Sequence, residues 1–83
     1  MAGAAQTKAY QSLLKALVQA RIDAEQSQAD LAKRLGKPPS FVGKYELGER
    51  RIDVIETCVI LKALGHDPIK FLSEHLKALP RRL

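Results

Sequence analysis

The side chains able to do covalent or metal chemistry are few: Cys58, His66 and His75. Their spacing matches no zinc-binding pattern, and no glycine-rich phosphate loop, paired-carboxylate cleft or nucleophile motif accompanies them. Cys58 reads as core and the histidines as surface. No enzyme activity, metal or cofactor is therefore expected. Non-covalent chemistry is concentrated in "LGKPPSFVGKYELGERR", Leu35 to Arg51, which carries Lys37, Ser40, Lys44, Arg50 and Arg51 around two glycine stops and a proline pair. Ammonium, guanidinium and hydroxyl groups in one short stretch suit a partner rich in anionic oxygen. The whole chain agrees, with 14 basic residues against 9 acidic and a net charge of +5. In a chain of 83 residues this excess points to a polyanion.

The elements that must position these residues read as helices. Leucine, alanine, isoleucine and valine dominate a 46% hydrophobic composition with no tryptophan, and no alternating strand pattern occurs. Leu13, Leu14, Leu17, Val18, Ala20 and Ile22 recur at helical spacing, which predicts a first helix over about 8–25. Ser27 and Asp30 form a capping signal for a short second helix through Leu31, Ala32 and Leu35, ended by Gly36. Pro38 and Pro39 open a third, with Phe41, Val42 and Tyr45 spaced for burial and Gly48 closing it. Asp53 and Glu56 cap a fourth that is expected to bury Val54, Cys58, Leu61 and Leu64 before Gly65. Asp67-Pro68 starts a fifth, carrying Ile69, Phe71, Leu72, Leu76 and Leu79 up to Pro80. The chain divides into a mobile N-terminal tail over 1–8, one domain over 9–79 and a basic C-terminal tail over 80–83. A lone cysteine and the lack of a signal core or a long apolar run make the expected location cytoplasmic, with no membrane partner.

Two short helices joined by a tight turn containing glycine describe a helix-turn-helix. "SQADLAKRLGKPPSFVGKYELGERR" resembles that of Cro and the lambda-type phage repressors, the XRE family. The matching residues are Gln28, Leu31-Ala32, Gly36 and Glu46-Leu47-Gly48, and the likeness extends over about Tyr10 to Leu72. It implies an all-α, five-helix, lambda-repressor-like DNA-binding domain with the helix-turn-helix in helices two and three. Glu25 and Gln26 depart from the family, which often has glycine and an apolar residue there.

By position, the resemblance sets Pro39, Ser40, Gly43 and Lys44 of helix three against base edges in the major groove of double-stranded DNA. Lys44 can donate to guanine, and Ser40 can donate or accept. Proline and glycine offer only van der Waals contact, so DNA shape should carry much of the recognition. Gln28, Lys37, Arg50 and Arg51 fall where phosphates would flank that helix, Gln28 through its amide and its helix's free N–H groups. Arg21 and Glu46 occupy the positions of a guanidinium–carboxylate pair that ties helix one to the reading unit; the alternative is two solvated charges.

Ile55 and Val59 on helix four, with Ile69, Leu72, Leu76 and Leu79 on helix five, exceed what so small a core can cover. They predict a homodimer interface, unless helix five folds back over them. The expected function is a sequence-specific, homodimeric transcriptional regulator, a repressor controlled by concentration or a protein partner. Two rivals stand beside it: an antitoxin that autoregulates its operon and binds a toxin, and a protein-interaction module that reuses the fold without DNA.

Overall fold

The computed structural model describes residues 7–83. Five helices follow one another: α1 (Lys8–Asp23), α2 (Gln28–Arg34), α3 (Ser40–Glu46), α4 (Val54–Ala63) and α5 (Pro68–His75). The described residues contain no strand. Most of the tail expected over 1–8 lies outside the described residues; Thr7 already caps α1 and Lys8 is its first residue.

Each start is fixed by local hydrogen bonding. The Thr7 side chain accepts from the Tyr10 amide. Ser27 and Asp30 form a reciprocal capping box at α2, and Asp53 and Glu56 form another at α4. Asp67 accepts from the Ile69 and Lys70 amides, with Pro68 in the first turn. Only α3 lacks a side-chain cap; the Phe41 amide instead donates to the Pro38 carbonyl at 3.0 Å.

The ends of α1 to α4 share one geometry. At α2 the Gly36 amide donates to Lys33 O and the Lys37 amide to Ala32 O, a paired closure that needs a left-handed residue after the helix. Gly36 supplies it with φ of 68°. At the end of α1 that position is held by Glu25, with φ of 57°, at the cost of crowding its Cβ against backbone. This is the site where the resembled family often has glycine.

α2 and α3 pack on each other and α3 on α1, while α4 packs on α5 and α5 returns to α1. The core gathers Leu13, Leu14, Leu17 and Ala20 of α1, Leu31 and Ala32 of α2, and Phe41, Val42 and Tyr45 of α3. Ile60, Leu61, Leu64 and Phe71 close it from the other side. The Phe41 and Tyr45 rings pack edge to face with their centres 5.7 Å apart.

Two expectations are corrected. The buried face of α4 is Thr57, Ile60 and Leu61, continued by Leu64; Val54 is 73% exposed and Cys58 only half-buried. Thr57 can go inside because its hydroxyl donates to Asp53 O at 2.8 Å. Ile52, just ahead of the helix, is also buried. The fifth helix ends at His75, so Leu76 is its cap and Leu79 lies beyond it. Pro80 has no amide to offer Leu76 O and disfavours helix at Leu79, which removes the support for another turn.

Candidate nucleic-acid interface

Burial of Phe41, Val42 and Tyr45 turns the opposite face of α3 outward. That face carries exposed Pro39, Ser40 and Lys44 with half-buried Gly43 beside them. Tyr45 is completely buried, and burial raises its hydroxyl pKa well above that of a free tyrosine. It anchors the helix and takes no part in the outer surface.

Three side chains converge at the end of α3. Arg21 Nε donates to Glu46 Oε2 at 2.8 Å and a second guanidinium nitrogen donates to Oε1 at 3.2 Å. The side chains are only 13% and 7% exposed, so the pair works where water screens it little. The hydrogen bonds to Glu46 raise the Arg21 pKa further. The third guanidinium nitrogen donates to Gln26 O at 2.8 Å, joining α1, the α1–α2 turn and α3 through one residue. Gln28 completes the group, its Nε2 donating to Glu46 Oε1 at 2.8 Å. Gly43 leaves room for this amide, because a Cβ there would stand 3.3 Å from Gln28 Oε1.

The basic residues around α3 are held as well. Arg50 makes a two-pronged pair with Glu56, at 2.9 and 3.2 Å, and sits 4.9 Å from the Phe41 ring centre. The pair raises the Arg50 pKa and keeps the Glu56 carboxyl below its ordinary range, helped by the Asp53 amide. Lys37 lies over the same ring at 5.5 Å. Arg51 stacks on Tyr10 at 4.3 Å, while the Tyr10 hydroxyl accepts from the Ile52 amide. Exposed basic groups thus border α3 from both ends with restricted freedom. Sequence reading found these residues but missed what orients them. Glu56 was visible as a cap, yet nothing in the spacing announced its second role, and the Tyr10 contact joins residues far apart in the chain.

A helix-turn-helix family model matches residues 17–69, from mid-α1 into α5. Among solved structures, the chain is similar to an XRE-family like protein from Pseudomonas syringae pv. tomato str. DC3000. The two share 46% identity over 87% of this chain and 88% of that one, with a TM-score of 0.81. The chain belongs to the XRE helix-turn-helix family. A search of curated proteins gives no match. XRE-family membership makes this a DNA-binding transcription-regulator fold, with α2 and α3 as the helix-turn-helix.

Of the apolar surplus, Ile55 and Val59 are 70% and 50% exposed, and Ile69 and Leu79 are exposed as well. Leu72 and Leu76 are half-buried and pack against the core. Ile55 and Val59 line a groove of about 180 Å³ with Leu35, Lys37, Phe41 and Ile60. It therefore opens beside the start of α3. Among the described residues no cluster of His, Cys, Asp and Glu is arranged to hold a metal, and no helix is long and apolar enough to cross a membrane.

Proposed function

We propose that this XRE-family protein is a sequence-specific, non-catalytic transcriptional repressor that binds double-stranded DNA as a homodimer. The observation that carries the reading is the outer face of α3, where Ser40 and Lys44 stand exposed on a helix whose other face is anchored by Phe41, Val42 and Tyr45. Pro39, Ser40, Gly43 and Lys44 meet base edges, Lys44 donating to guanine and Ser40 exchanging either kind of hydrogen bond. Lys37, Arg50 and Arg51 bind the neighbouring phosphates, which supplies most of the affinity and makes it salt-dependent. The aromatic rings under all three, and Glu56 beside Arg50, reduce the freedom those side chains lose on binding.

A second copy covers Ile55 and Val59, which follow one another at one-turn spacing on α4. A two-fold pair presents two reading helices to successive major grooves and so selects a site with matched halves. Repression then follows from occupancy of DNA that a polymerase would need.

The test is fluorescence anisotropy with the duplex upstream of the protein's own gene and a scrambled duplex, across a salt series. Tighter binding to the upstream duplex is the expected result. Equal binding to both leaves only attachment to the backbone, and no binding to either at low salt overturns the reading.

A further inference from the structure

We propose that Glu56 is a brake on DNA binding: it cancels most of the charge that Arg50 offers to phosphate, and so weakens every duplex alike. The inference rests on the phosphate role given to Arg50 above.

Arg50 is tied on three sides. Its terminal nitrogens donate to both oxygens of Glu56, at 3.2 and 2.9 Å. One of them also donates to Arg51 O at 3.0 Å, and the guanidinium stands 4.9 Å from the Phe41 ring centre. Among the described residues no carboxylate forms an ion pair with Lys37, Lys44 or Arg51. Arg50 is therefore the basic neighbour of α3 whose charge is already answered.

The Arg50 and Glu56 side chains are 42% and 26% exposed, so the pair lies where a binding polyanion meets the surface. Groups in contact are well inside the screening length of ordinary salt, and a phosphate drawn to Arg50 is also repelled by Glu56. Counterion release follows the net charge delivered to the phosphates, so the pair should count for much less than one contact.

Glu56 has two opposing effects on binding. It seats Arg50, which reduces the freedom lost on binding, and it neutralises Arg50, which weakens attraction. The other restraints decide between them. Without the Glu56 charge, Arg50 keeps the Phe41 ring and Arg51 O as seats. The neutralisation has no such second source, because no other carboxylate pairs with Arg50 among the described residues. Neutralisation outweighs seating.

The charge can be removed without removing the cap. Glu56 Oε1 accepts from the Asp53 amide at 3.0 Å at the start of α4. That position needs an oxygen, and glutamine fills it as glutamate does.

The experiment is fluorescence anisotropy across a salt series with the full chain, Glu56→Gln and the double variant Arg50→Ala with Glu56→Gln. Thermal melts establish that each is folded at the temperature of binding. Glu56→Gln should bind the upstream and scrambled duplexes about three- to tenfold more tightly, with a salt slope steeper by up to about one. The double variant, which removes a nearly neutral pair, should keep close to the wild-type slope. Unchanged or weaker binding by folded Glu56→Gln would make Glu56 a seat alone and overturn the proposal. So would a gain confined to one duplex, or a double variant whose slope falls by about one. Failure of the wild type to bind either duplex at low salt would instead remove the phosphate role of Arg50, and this inference with it.

Discussion

Arg21 and Glu46, twenty-five residues apart, meet through two guanidinium nitrogens at 2.8 and 3.2 Å, and the same arginine holds Gln26 O. The pair joins the end of α1 to the end of the reading helix. Removing either partner leaves a charge in a site that water barely reaches. Arg21→Ala should lower stability by about 2–3 kcal/mol. In a domain of this size that corresponds to a melting point lower by about 10–20 °C. A melt within a few degrees of wild type would show that the pair holds nothing together.

The α1–α2 turn contains a built-in weakness. Glu25 closes α1 in the left-handed conformation, and its neighbour Gln26 keeps a buried side-chain oxygen for which the described residues provide no partner. Glu25→Gly should stabilise the fold by about 1 kcal/mol, read as a raised denaturation midpoint. The converse change at Gly36, Gly36→Ala, should destabilise by a similar amount. Nothing within 4 Å would obstruct its new Cβ, so the loss there is purely one of backbone conformation.

Acid should weaken the fold through its caps. Asp30 is held below its ordinary pKa by the Ser27 amide and hydroxyl, and Glu56 by Arg50 and the Asp53 amide. A carboxyl depressed in the folded state stabilises it above the unfolded pKa and loses that effect as pH falls through the folded one. Melting temperature should therefore hold from neutral pH to about 5 and decline below about 4. Asp30→Asn should flatten part of that decline. A melting curve that falls on the alkaline side instead would contradict the assignment.

Binding should separate two kinds of basic residue. Lys44→Ala should lower discrimination between duplexes, by about 1–3 kcal/mol at one base pair. Arg51→Ala should weaken every duplex alike and reduce the salt slope by about one. For assembly, Ile55→Lys should shift sedimentation equilibrium from dimer to monomer while leaving the helical spectrum intact. A wild type that sediments as a monomer at high concentration would remove Ile55 and Val59 from any interface between copies.

Much of this architecture is written locally. Ser27 with Asp30, Asp53 with Glu56 and Asp67 with Pro68 mark three helix starts, and Gly36, Gly48 and Gly65 mark three ends, because caps and left-handed turns depend on neighbours in the chain. The face that α4 buries was not legible. Val54, Ile55, Cys58, Val59, Ile60 and Leu61 put apolar residues nearly all round it, so periodicity selects no side, and the inward Thr57 depends on a backbone bond that composition does not reveal. The site divides in the same way. The resemblance to the XRE helix-turn-helix places Ser40 and Lys44 on the outer face of α3, and both stand exposed. The bond from Gln28 to Glu46, the seat of Arg50 on Glu56 and that of Arg51 on Tyr10 arise only when separate helices meet.

The measurement that tests the central claim most directly is amide chemical-shift mapping of the labelled protein, titrated with its selected duplex. If α3 enters the groove, the largest changes will fall between Lys37 and Arg51 and at Gln28, with α5 little altered. Changes centred on α4 and α5 with α3 silent, or no changes at low salt, would contradict the account.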